Sequence, residues 1–374
     1  MNQKLKNIVS NFKIDGKLLS IEENSQGNIN STYLLTVDSD GKIEKYLLQK
    51  INCYVFKEPY LVIKNIQNVT KHIASKLDEQ HKTLSFIPTL DGELMYTRIN
   101  RDGEKEYYRV YEYISDCISY DNFGECENPE KIAYNTGACF GLFHKQLSDF
   151  PVNLLSETIP DFHNTPKRFD ALLTSIENGI SDRAFECSSE IIYLISKIKE
   201  YSSIWNNLGK SIPLRVTHND TKLNNVLMSS TTHEGVAVID LDTVMPGSIL
   251  FDVGDGIRSA CSNSFEDETD PDKIFLNLDL TKAYLQGYLE QMAPYLTETE
   301  VQYMGESIAV LTYELTLRFL TDYINKDIYF KVKYKTHNKD RFLNQYLLLR
   351  DIESKITEIN RFVSTTYRSL CSKN

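Results

Sequence analysis

Long apolar runs are missing from this sequence of 374 residues. No stretch approaches the roughly 20 apolar residues that cross a membrane. The first sixteen residues, MNQKLKNIVSNFKIDG, also have no apolar core of the kind found in signal peptides. We therefore expect a cytoplasmic protein without a membrane partner.

Closely spaced cysteines and an excess of basic charge are absent as well. The seven cysteines are scattered and form no CxxC pair, which argues against a disulfide framework and against a zinc site. Lys and Arg number 41 against 52 Asp and Glu, a formal net charge of -11. This balance argues against nucleic acid as a partner, and any phosphate group must be met by a few local cations. No repeat or low-complexity tract is present, and nothing indicates an oligomeric state.

The composition is that of a folded globular protein. Hydrophobic residues make up 41% and charged residues 25% of the chain, close to the globular average. The length predicts two domains or one large two-lobed domain.

The first part of the chain predicts a small antiparallel sheet with one helix. Apolar positions recur at helical spacing after Pro59, from Leu61 to Leu77. Alternating segments separated by turn residues predict strands at 31–37, 45–51, 84–90, 93–99 and 107–114, with turns at 38–41 and 91–92. We expect residues 1–114 to form an N-terminal nucleotide-binding lobe.

Helical periodicity dominates from Asn128 onward, so residues 115–374 are expected to form a larger, mainly helical lobe. The predicted helices are 132–147, 168–177, 189–203, 280–289 and 298–323. Two short strands, 214–217 and 235–240, each lead directly into polar residues. The predicted fold class is therefore α+β, with catalytic residues at these two junctions.

The first junction carries the pattern H-x-D-x-K-x-x-N, formed by His218, Asp220, Lys222 and Asn225. Phosphoryl transfer needs mainly an aligned acceptor and neutralised charge. Asp220 can accept the proton of an attacking hydroxyl, Lys222 can neutralise the transferred group, and Asn225 can offer an oxygen to Mg²⁺. His218 is expected to brace this loop by hydrogen bonds.

The second junction supplies Asp240, a second hard oxygen ligand after the apolar run 236–239. Since Mg²⁺ often sits on one or two protein ligands plus substrate phosphates, Asn225 and Asp240 suffice for a metal bound with a nucleotide. Asp242 either shares this work or is a solvated turn carboxylate. Asp252 is expected to hold the catalytic loop in place by hydrogen bonds.

A nucleotide also needs a phosphate cover and a cation. The candidate cover is the loop 25–31, with Gly27 and Asn28 near the phosphates, although a plain hairpin loop would have the same composition. Lys50 ends a strand where a kinase fold places the lysine for the α- and β-phosphates, and a merely solvated lysine is the alternative. The strand 108–114 should be the hinge, whose backbone at Glu112, Tyr113 and Ile114 can bind adenine.

From about Gly27 to Leu349 the sequence resembles the aminoglycoside phosphotransferase and choline kinase superfamily, small-molecule relatives of protein kinases with the same two-lobed fold. Within it, several runs are similar to those of N-acetylhexosamine 1-kinases, which phosphorylate the anomeric hydroxyl of N-acetylglucosamine and N-acetylgalactosamine with ATP and Mg²⁺. These runs are YLLQKIN, YRVYEYI, FHNTPKRFDAL, THNDTKLNNVL, VIDLDTVMPG and YELTLRFLTDYI.

The resemblance implies a set of site residues. Asp220 is implied as the base, and Asn225 and Asp240 as metal ligands. The implied sugar site includes Asp220, Asp240, Ile29 and Arg318. The run 162–165, with His163 and Asn164, also lines the sugar pocket in this interpretation, and helix capping is the alternative for it.

The sequence departs from protein kinases in three ways. The helix after Pro59 has Glu58 and Asp78 at its ends but no central glutamate to pair with Lys50. The phosphate loop lacks G-x-G-x-x-G, and no D-F-G or A-P-E segment is present, so a protein substrate is not expected.

Three hypotheses follow for the function. The leading one is an ATP- and Mg²⁺-dependent sugar 1-kinase. The alternative enzyme is an aminoglycoside- or choline-type kinase acting on a cationic alcohol. The third possibility is a catalytically silent pseudokinase, against which the presence of Asp220, Lys222, Asn225 and Asp240 argues.

Overall fold

The computed structural model describes residues 3–24, 29–178 and 181–372. Its chain divides into two compact units, the first made of Met1–Cys117 with Asn153–Ile159 and Leu241–Val244, the second of Ile118–Val152, Pro160–Asp240 and Met245–Asn374. The two short segments that return to the first unit were not predicted. The division at Ile114 into two domains stays a prediction.

The first unit contains the antiparallel sheet and the second is mainly helical, which confirms the predicted α+β class. The strands are β1 (Lys17–Asn24), β2 (Ser31–Ser39), β3 (Lys42–Lys50), β4 (Phe86–Ile87), β5 (Tyr96–Ile99), β6 (Lys105–Glu112), β7 (Cys117–Ile118), β8 (Arg215–Thr217), β9 (Val226–Ser229), β10 (Gly235–Val238) and β11 (Met245–Gly247). The helices are α1 (Gln3–Val9), α2 (Pro59–Ala74), α3 (Pro129–Gln146), α4 (Thr165–Asn178), α5 (Ser181–Glu186), α6 (Ser188–Ser211), α7 (Ile249–Ala260), α8 (Leu278–Met292), α9 (Glu298–Gln302), α10 (Met304–Ile324) and α11 (His337–Cys371).

The sheet of the first unit has the strand order β1-β2-β3-β6-β4, with β5 also paired to β6. The predicted turn between β2 and β3 is confirmed. Asp40 and Gly41 have φ angles of 52° and 86° at its tip, the left-handed conformation that a two-residue hairpin turn requires.

The two faces of this sheet carry different chemistry, because neighbouring residues of a strand point to opposite faces. Leu48 of β3 pairs with Val110 of β6, and both lie in an apolar core with Ile8 of α1. Gln49 and Arg109, the next pair in the register, therefore lie on the opposite face. We call these the α1 face and the Arg109 face.

Helix α2 fixes the two returning segments of the first unit. It begins at Pro59, as the sequence predicts, and ends three residues before the predicted end. Asn65 is buried on this helix and donates from its side-chain amide to the carbonyls of Ser156 and Val244, at 2.7 and 2.9 Å. Its amide oxygen accepts the backbone N–H of Ser156. A single buried amide therefore holds both segments.

In the second unit, α3 and α8 cross closely at glycines. A Cβ atom at Gly137 would lie 2.0 Å from the carbonyl oxygen of Tyr284, and one at Gly287 would lie 2.1 Å from that of Tyr134. No side chain larger than hydrogen fits at either position without separating the helices.

Several elements differ from the prediction. Helices α1, α7 and α11 and strand β1 were not predicted, and the single helix expected over 298–323 is divided into α9 and α10 at Tyr303. Thr297 and Glu300 form a capping box that starts α9. Within the described residues, none of the helices combines the length and the apolar character that a membrane crossing needs.

Candidate active site

The catalytic loop joins β8 to β9 within the second unit. Strand β8 pairs with β11, which sets Thr217 opposite Met245. Immediately after the strand, Asn219 has a φ of 65°, an uncommon conformation for a residue with a side chain. Such backbone strain persists only where surrounding contacts hold it.

Asp252 of α7 supplies those contacts. Its buried carboxylate accepts the backbone N–H of His218 at 2.6 Å and that of Asn219 at 2.7 Å. The Nε2 of His144 lies 2.9 Å from the same carboxylate. Burial raises the pKa of Asp252, but the hydrogen bond and charge of His144 outweigh it and the pKa is lowered. The predicted role of Asp252 in holding the loop is confirmed.

His218 connects the two junctions that the sequence singled out. Its Nε2 lies 2.9 Å from the carbonyl oxygen of Ile239, and its Nδ1 accepts the backbone N–H of Asp220 at 3.2 Å. An imidazole that accepts at Nδ1 donates at Nε2. The edges of Phe140 and Phe143 pack around the ring. These contacts bear out the bracing expected of His218.

Asp220 is the accessible carboxylate of the loop. One oxygen lies 2.7 Å from the ammonium of Lys222, and the other accepts the side-chain amide of Asn225 at 3.2 Å. The charge of Asp220 raises the pKa of Lys222, which stays protonated. Three of the four residues of the predicted pattern are therefore in mutual contact.

The oxygens of Asn225 and Asp240 fit a hard divalent cation. Asn225 donates its amide N–H groups to Asp220, and no described residue donates to its side-chain oxygen. The backbone N–H of Ile239 donates to the backbone carbonyl of Asn225 at 2.9 Å. This bond brings Asp240, the residue after Ile239, close to Asn225. Asp240 is exposed, with a φ of 58°. Among the described residues no group of three or more His, Cys, Asp or Glu forms a metal cage, and Mg²⁺ bound with phosphates does not need one.

Contacts lead from the catalytic loop to the predicted sugar residues along α7. Asp255 lies near Lys222 and His163, and although burial raises its pKa, Arg258, Lys222 and His163 together lower it. His163 packs on Phe251 with ring centroids 5.1 Å apart. Asp255 and Phe251 thus connect the loop with the segment 162–165.

His163 has one unused donor or acceptor atom. Its Nδ1 lies 3.1 Å from a carboxylate oxygen of Glu314 on α10. Its Nε2 is buried and has no hydrogen-bond partner among the described residues. A buried polar atom without a partner is costly, which makes this atom a candidate for contact with a ligand.

Arg318, one helical turn after Glu314, presents a cation that no described residue pairs with. Its guanidinium lies over the rings of Phe162, Tyr329 and Phe330, 5.5 to 6.0 Å from their centroids. In the described part of the chain, no hydrogen bond or ion pair engages it, and its side chain is partly exposed.

A second arginine lies beside it. Burial lowers the pKa of Arg168, and the positive charge of Arg318 lowers it further. Arg168 donates to the carbonyl of Phe162 at 3.0 Å, while its Nε is buried without a partner in the described residues. The two guanidinium groups bring two positive charges into this region of the second unit, beside the carboxylate of Glu314.

Asn164 has the role of a helix cap. Its side-chain oxygen accepts the backbone N–H of Lys167 at the start of α4, and its amide donates to Asp161. With both ends of the amide engaged, the contacts favour the capping alternative over substrate binding for Asn164.

The structure gives Lys50 a different neighbour from the one expected. Its ammonium lies 2.8 Å from a carboxylate oxygen of Glu106, which also binds Lys4 and Arg98. Glu106 lies on the α1 face, two residues before Tyr108 of the core. The expected placement of Lys50 at the phosphates stays a prediction, and the pairing of its charge with a buried carboxylate argues against it. The carboxylate that pairs with Lys50 thus comes from β6 and not from α2.

Other predicted contacts of the first unit fall in three groups. Gly27 and Asn28 lie outside the described residues. Ile29 is exposed, and its carbonyl accepts the side-chain amide of Asn52. At the hinge, the N–H groups of Glu112 and Tyr113 are used within the unit, whereas the backbone of Ile114 has no hydrogen-bond partner among the described residues.

Asp242 is not the solvated turn carboxylate that the sequence allowed, and its share in metal binding stays a prediction. It is buried, and both of its oxygens are bound by the guanidinium of Arg109, at 2.8 Å for Nη2 to Oδ2. The solvated-turn alternative is therefore wrong, and a metal would have to displace an arginine to bind there.

The sequence analysis missed four residues that contact or lie beside the residues it singled out: His144, Glu106, Arg109 and Arg168. His144 and Arg168 lie on predicted helices, where nothing local distinguishes them. Glu106 and Arg109 offered a signal, since each is a charged residue within the alternating pattern of a strand that is otherwise buried.

Comparison with known proteins identifies the family of the chain. The profile described as phosphotransferase enzyme family, APH, matches residues 20–295, most of the chain. The protein belongs to this phosphotransferase family.

Solved structures share the fold at low sequence identity. An amicoumacin kinase in complex with AMP-PNP, Ca²⁺ and Ami has a TM-score of 0.61 and 12% identity, over 95% of this chain and 93% of that one. A microcompartment-associated aminopropanol kinase has a TM-score of 0.58 and 13% identity, over 96% and 98%. Choline kinase from Cryptosporidium parvum has a TM-score of 0.58 and 12% identity, over 95% and 96%. At these identities the similarity establishes the fold.

Proposed function

We propose that this phosphotransferase is an ATP- and divalent-metal-dependent kinase that phosphorylates the anomeric hydroxyl of an N-acetylhexosamine. The observation that carries the proposal is the guanidinium of Arg318, which lies over Phe162 beside the segment 162–165 and has no hydrogen bond or ion pair with any described residue. The choice of an N-acetylhexosamine and of its C1 hydroxyl rests on the similarity of the sequence runs described above. The nucleotide and the metal are supported by the family and by neighbours such as the kinase solved with AMP-PNP and Ca²⁺.

The charge of this region argues against a cationic acceptor. A substrate ammonium 4 Å from the Arg318 guanidinium would meet a repulsion of about 4 kcal/mol at an effective dielectric constant of 20. Arg168 adds to this repulsion, since it lies close enough to Arg318 for that charge to lower the pKa of Arg168. A neutral polyol instead offers hydroxyl oxygens that accept from the guanidinium, and the three rings offer apolar surface to its C–H groups.

The residues of the loop can carry out the proton transfer. Asp220 accepts the proton of the anomeric hydroxyl as the hydroxyl oxygen attacks the γ-phosphorus in line, and the bond from that phosphorus to the β–γ bridging oxygen breaks to release ADP. Lys222, now paired with Asp220, supplies positive charge to the transferred group. His218 and Asp252 keep the loop in its strained conformation. A divalent cation on Asn225 and Asp240 would supply neutralisation of the phosphate charge.

The proposal is tested by measuring ADP release with a panel of acceptors. We expect turnover with N-acetylglucosamine or N-acetylgalactosamine and none with choline, ethanolamine or an aminoglycoside. Phosphorus NMR of the product should show the phosphate coupled to the anomeric proton. Turnover of an amine with none on sugars would replace the proposal by the cationic-alcohol kinase. Nucleotide binding without any phosphorylated product would favour a pseudokinase.

Variants connect the assay with the site. Asp220→Asn should abolish turnover while the protein still binds nucleotide. Arg318→Ala should raise the sugar KM about 10- to 100-fold, as expected for the loss of one charged hydrogen-bonding group. The matched control is Arg350→Ala. Arg350 lies on α11, and its guanidinium carbon is 4.3 Å from the ring centroid of Tyr193 on α6. Equal effects of the two arginine variants would contradict the role of Arg318.

A further inference from the structure

We infer that Arg109 is a positioning residue for the segment that carries the metal ligand Asp240. Arg109 acts through Asp242, which follows Asp240 by two residues. Through the same carboxylate, Arg109 also connects this segment with the end of the candidate phosphate loop. The inference rests on the proposed role of Asp240 in metal binding.

The first step is the geometry around Arg109. Its side chain is 2% exposed and leaves β6 on the Arg109 face of the sheet. Nη1 and Nη2 bind the two oxygens of Asp242, and Nε and Nη2 lie 2.9 and 2.8 Å from the amide oxygen of Gln49. A guanidinium held by two partners in one plane has a fixed orientation. Asp242 is therefore held at one place relative to the sheet.

The second step is the connection to the phosphate loop. The side-chain amide of Asn30 donates to Oδ2 of Asp242. Its amide oxygen accepts the backbone N–H of Asn52, which follows β3, at 3.0 Å. The last described residues of the loop 25–31 are thus bound to the same carboxylate as Arg109.

The third step is the strain at Asp240. With a φ of 58°, this residue needs contacts on both sides to keep its conformation. Before it, Ile239 is held by the backbone of Asn225 and by His218. After it, the first side chain with charged contacts in the described structure is Asp242, held by Arg109. Arg109 therefore supplies the anchor nearest to Asp240 on the C-terminal side, ahead of the bond from Asn65 to Val244.

Two other roles for Arg109 and Asp242 fit the geometry less well. A phosphate ligand would have to reach a guanidinium that is almost completely buried. A second metal on Asp242 would have to replace Arg109 on both oxygens. Neither role explains why Gln49 and Asn30 bind the same pair.

The test compares Arg109→Lys with Arg98→Lys. Lysine keeps the charge at position 109 but cannot bind both oxygens of Asp242 in one plane. Arg98 lies on β5, and its ion pair with Glu106 is 3.5 Å long, so its variant is the matched control in the same sheet. The first measurement is amide hydrogen exchange of residues 239–245 in the nucleotide-free protein, where we expect faster exchange in Arg109→Lys only.

The second measurement is the affinity for AMP-PNP with Mg²⁺ by calorimetry. Loss of a residue that orients a metal ligand weakens metal binding about 10- to 100-fold, and we expect a weakening in this range with Arg109→Lys and none with Arg98→Lys. Where the protein is active, the apparent dissociation constant for Mg²⁺ should rise in Arg109→Lys while the sugar KM is unchanged. If Arg109 had a purely structural role, the variant would have a lower melting temperature, but the Mg²⁺ constant would not rise independently of the sugar KM.

Asn30→Ala serves as a second, milder variant if Arg109→Lys does not fold, because it removes one hydrogen bond from the same carboxylate. It should increase exchange over 239–245 in the same direction. Unchanged exchange and unchanged Mg²⁺ affinity in a folded Arg109→Lys or Asn30→Ala protein would overturn the inference. Because exchange is measured without substrate, failure of the proposed sugar kinase activity leaves this test intact.

Discussion

Replacing Asp252 by Asn tests whether one buried carboxylate holds the catalytic loop. The carboxylate accepts three N–H groups, those of His218, Asn219 and His144, at 2.6 to 2.9 Å. An asparagine has one acceptor oxygen, so at least one of these donors would face an NH₂ group in a site that water does not reach. Hydrogen bonds to charged groups contribute about 1.5–3 kcal/mol each, and an unsatisfied buried donor costs about 1–3 kcal/mol. We expect Asp252→Asn to lower the free energy of unfolding by about 3 kcal/mol.

Catalysis should fall by more than the loss of stability explains. A shift of the loop by about 1 Å can cost 10²-fold in rate, so we expect kcat to fall about 100-fold under conditions where the variant is fully folded. Urea unfolding gives the first quantity and the ADP-release assay gives the second.

The control for this experiment is Asp351→Asn. Asp351 also accepts a backbone N–H, that of Leu276 at 2.7 Å, but from α11 and away from the loop. The Asp351→Asn protein should have a lower free energy of unfolding and an unchanged kcat. If Asp252→Asn retained both its stability and its kcat, the assigned role of Asp252 would be refuted.

Three further predictions concern the rest of the chain. Burial raises the pKa of Glu106, but its bonds to Lys50, Lys4 and Tyr108 lower it from 4.5 to about 2. Its stabilisation is therefore complete above pH 4.5 and lost as the pH falls toward 2, so urea unfolding of Glu106→Gln should show a deficit of about 1–3 kcal/mol at pH 7 that shrinks below pH 4.5. Lys50→Met should lower the free energy of unfolding and change the ATP KM less than twofold. A large rise in this KM would instead indicate that Lys50 binds the phosphates. Gly137→Ala should lower the melting temperature by about 5 °C or more, because the new Cβ meets a backbone carbonyl, and an unchanged melting temperature would contradict the close helix crossing.

Local patterns explain which elements were predicted from the sequence. Helix α2 has a wide apolar stripe and a proline at its first position, so both its presence and its start were evident. Helix α11 is longer, with 35 residues, but it buries a narrow set of side chains, among them Phe342, Leu349 and Ile359, between many polar ones. A narrow stripe gives a weak periodic signal, and this helix was missed.

The same distinction applies to the candidate site. The catalytic loop is local, so the roles of its residues could be proposed from spacing alone. The partners of Lys50 and Asp242 come from β6, 56 and 133 residues away along the chain. Only the register of β3 and β6 shows that Lys50 lies on one face of the sheet and Arg109 on the other. One-dimensional spacing contains no such information.

The return of Leu241–Val244 to the first unit has a consequence for synthesis on the ribosome. Arg109 and Asn65 are translated long before Asp242 and Val244, their partners in this segment. Until residue 244 has emerged, the sheet holds a guanidinium and an amide that lack these partners, which disfavours their burial. The first unit is thus expected to complete its folding only after the catalytic loop has been made, and a fragment that ends at Cys117 should be less stable than the same residues within the whole chain.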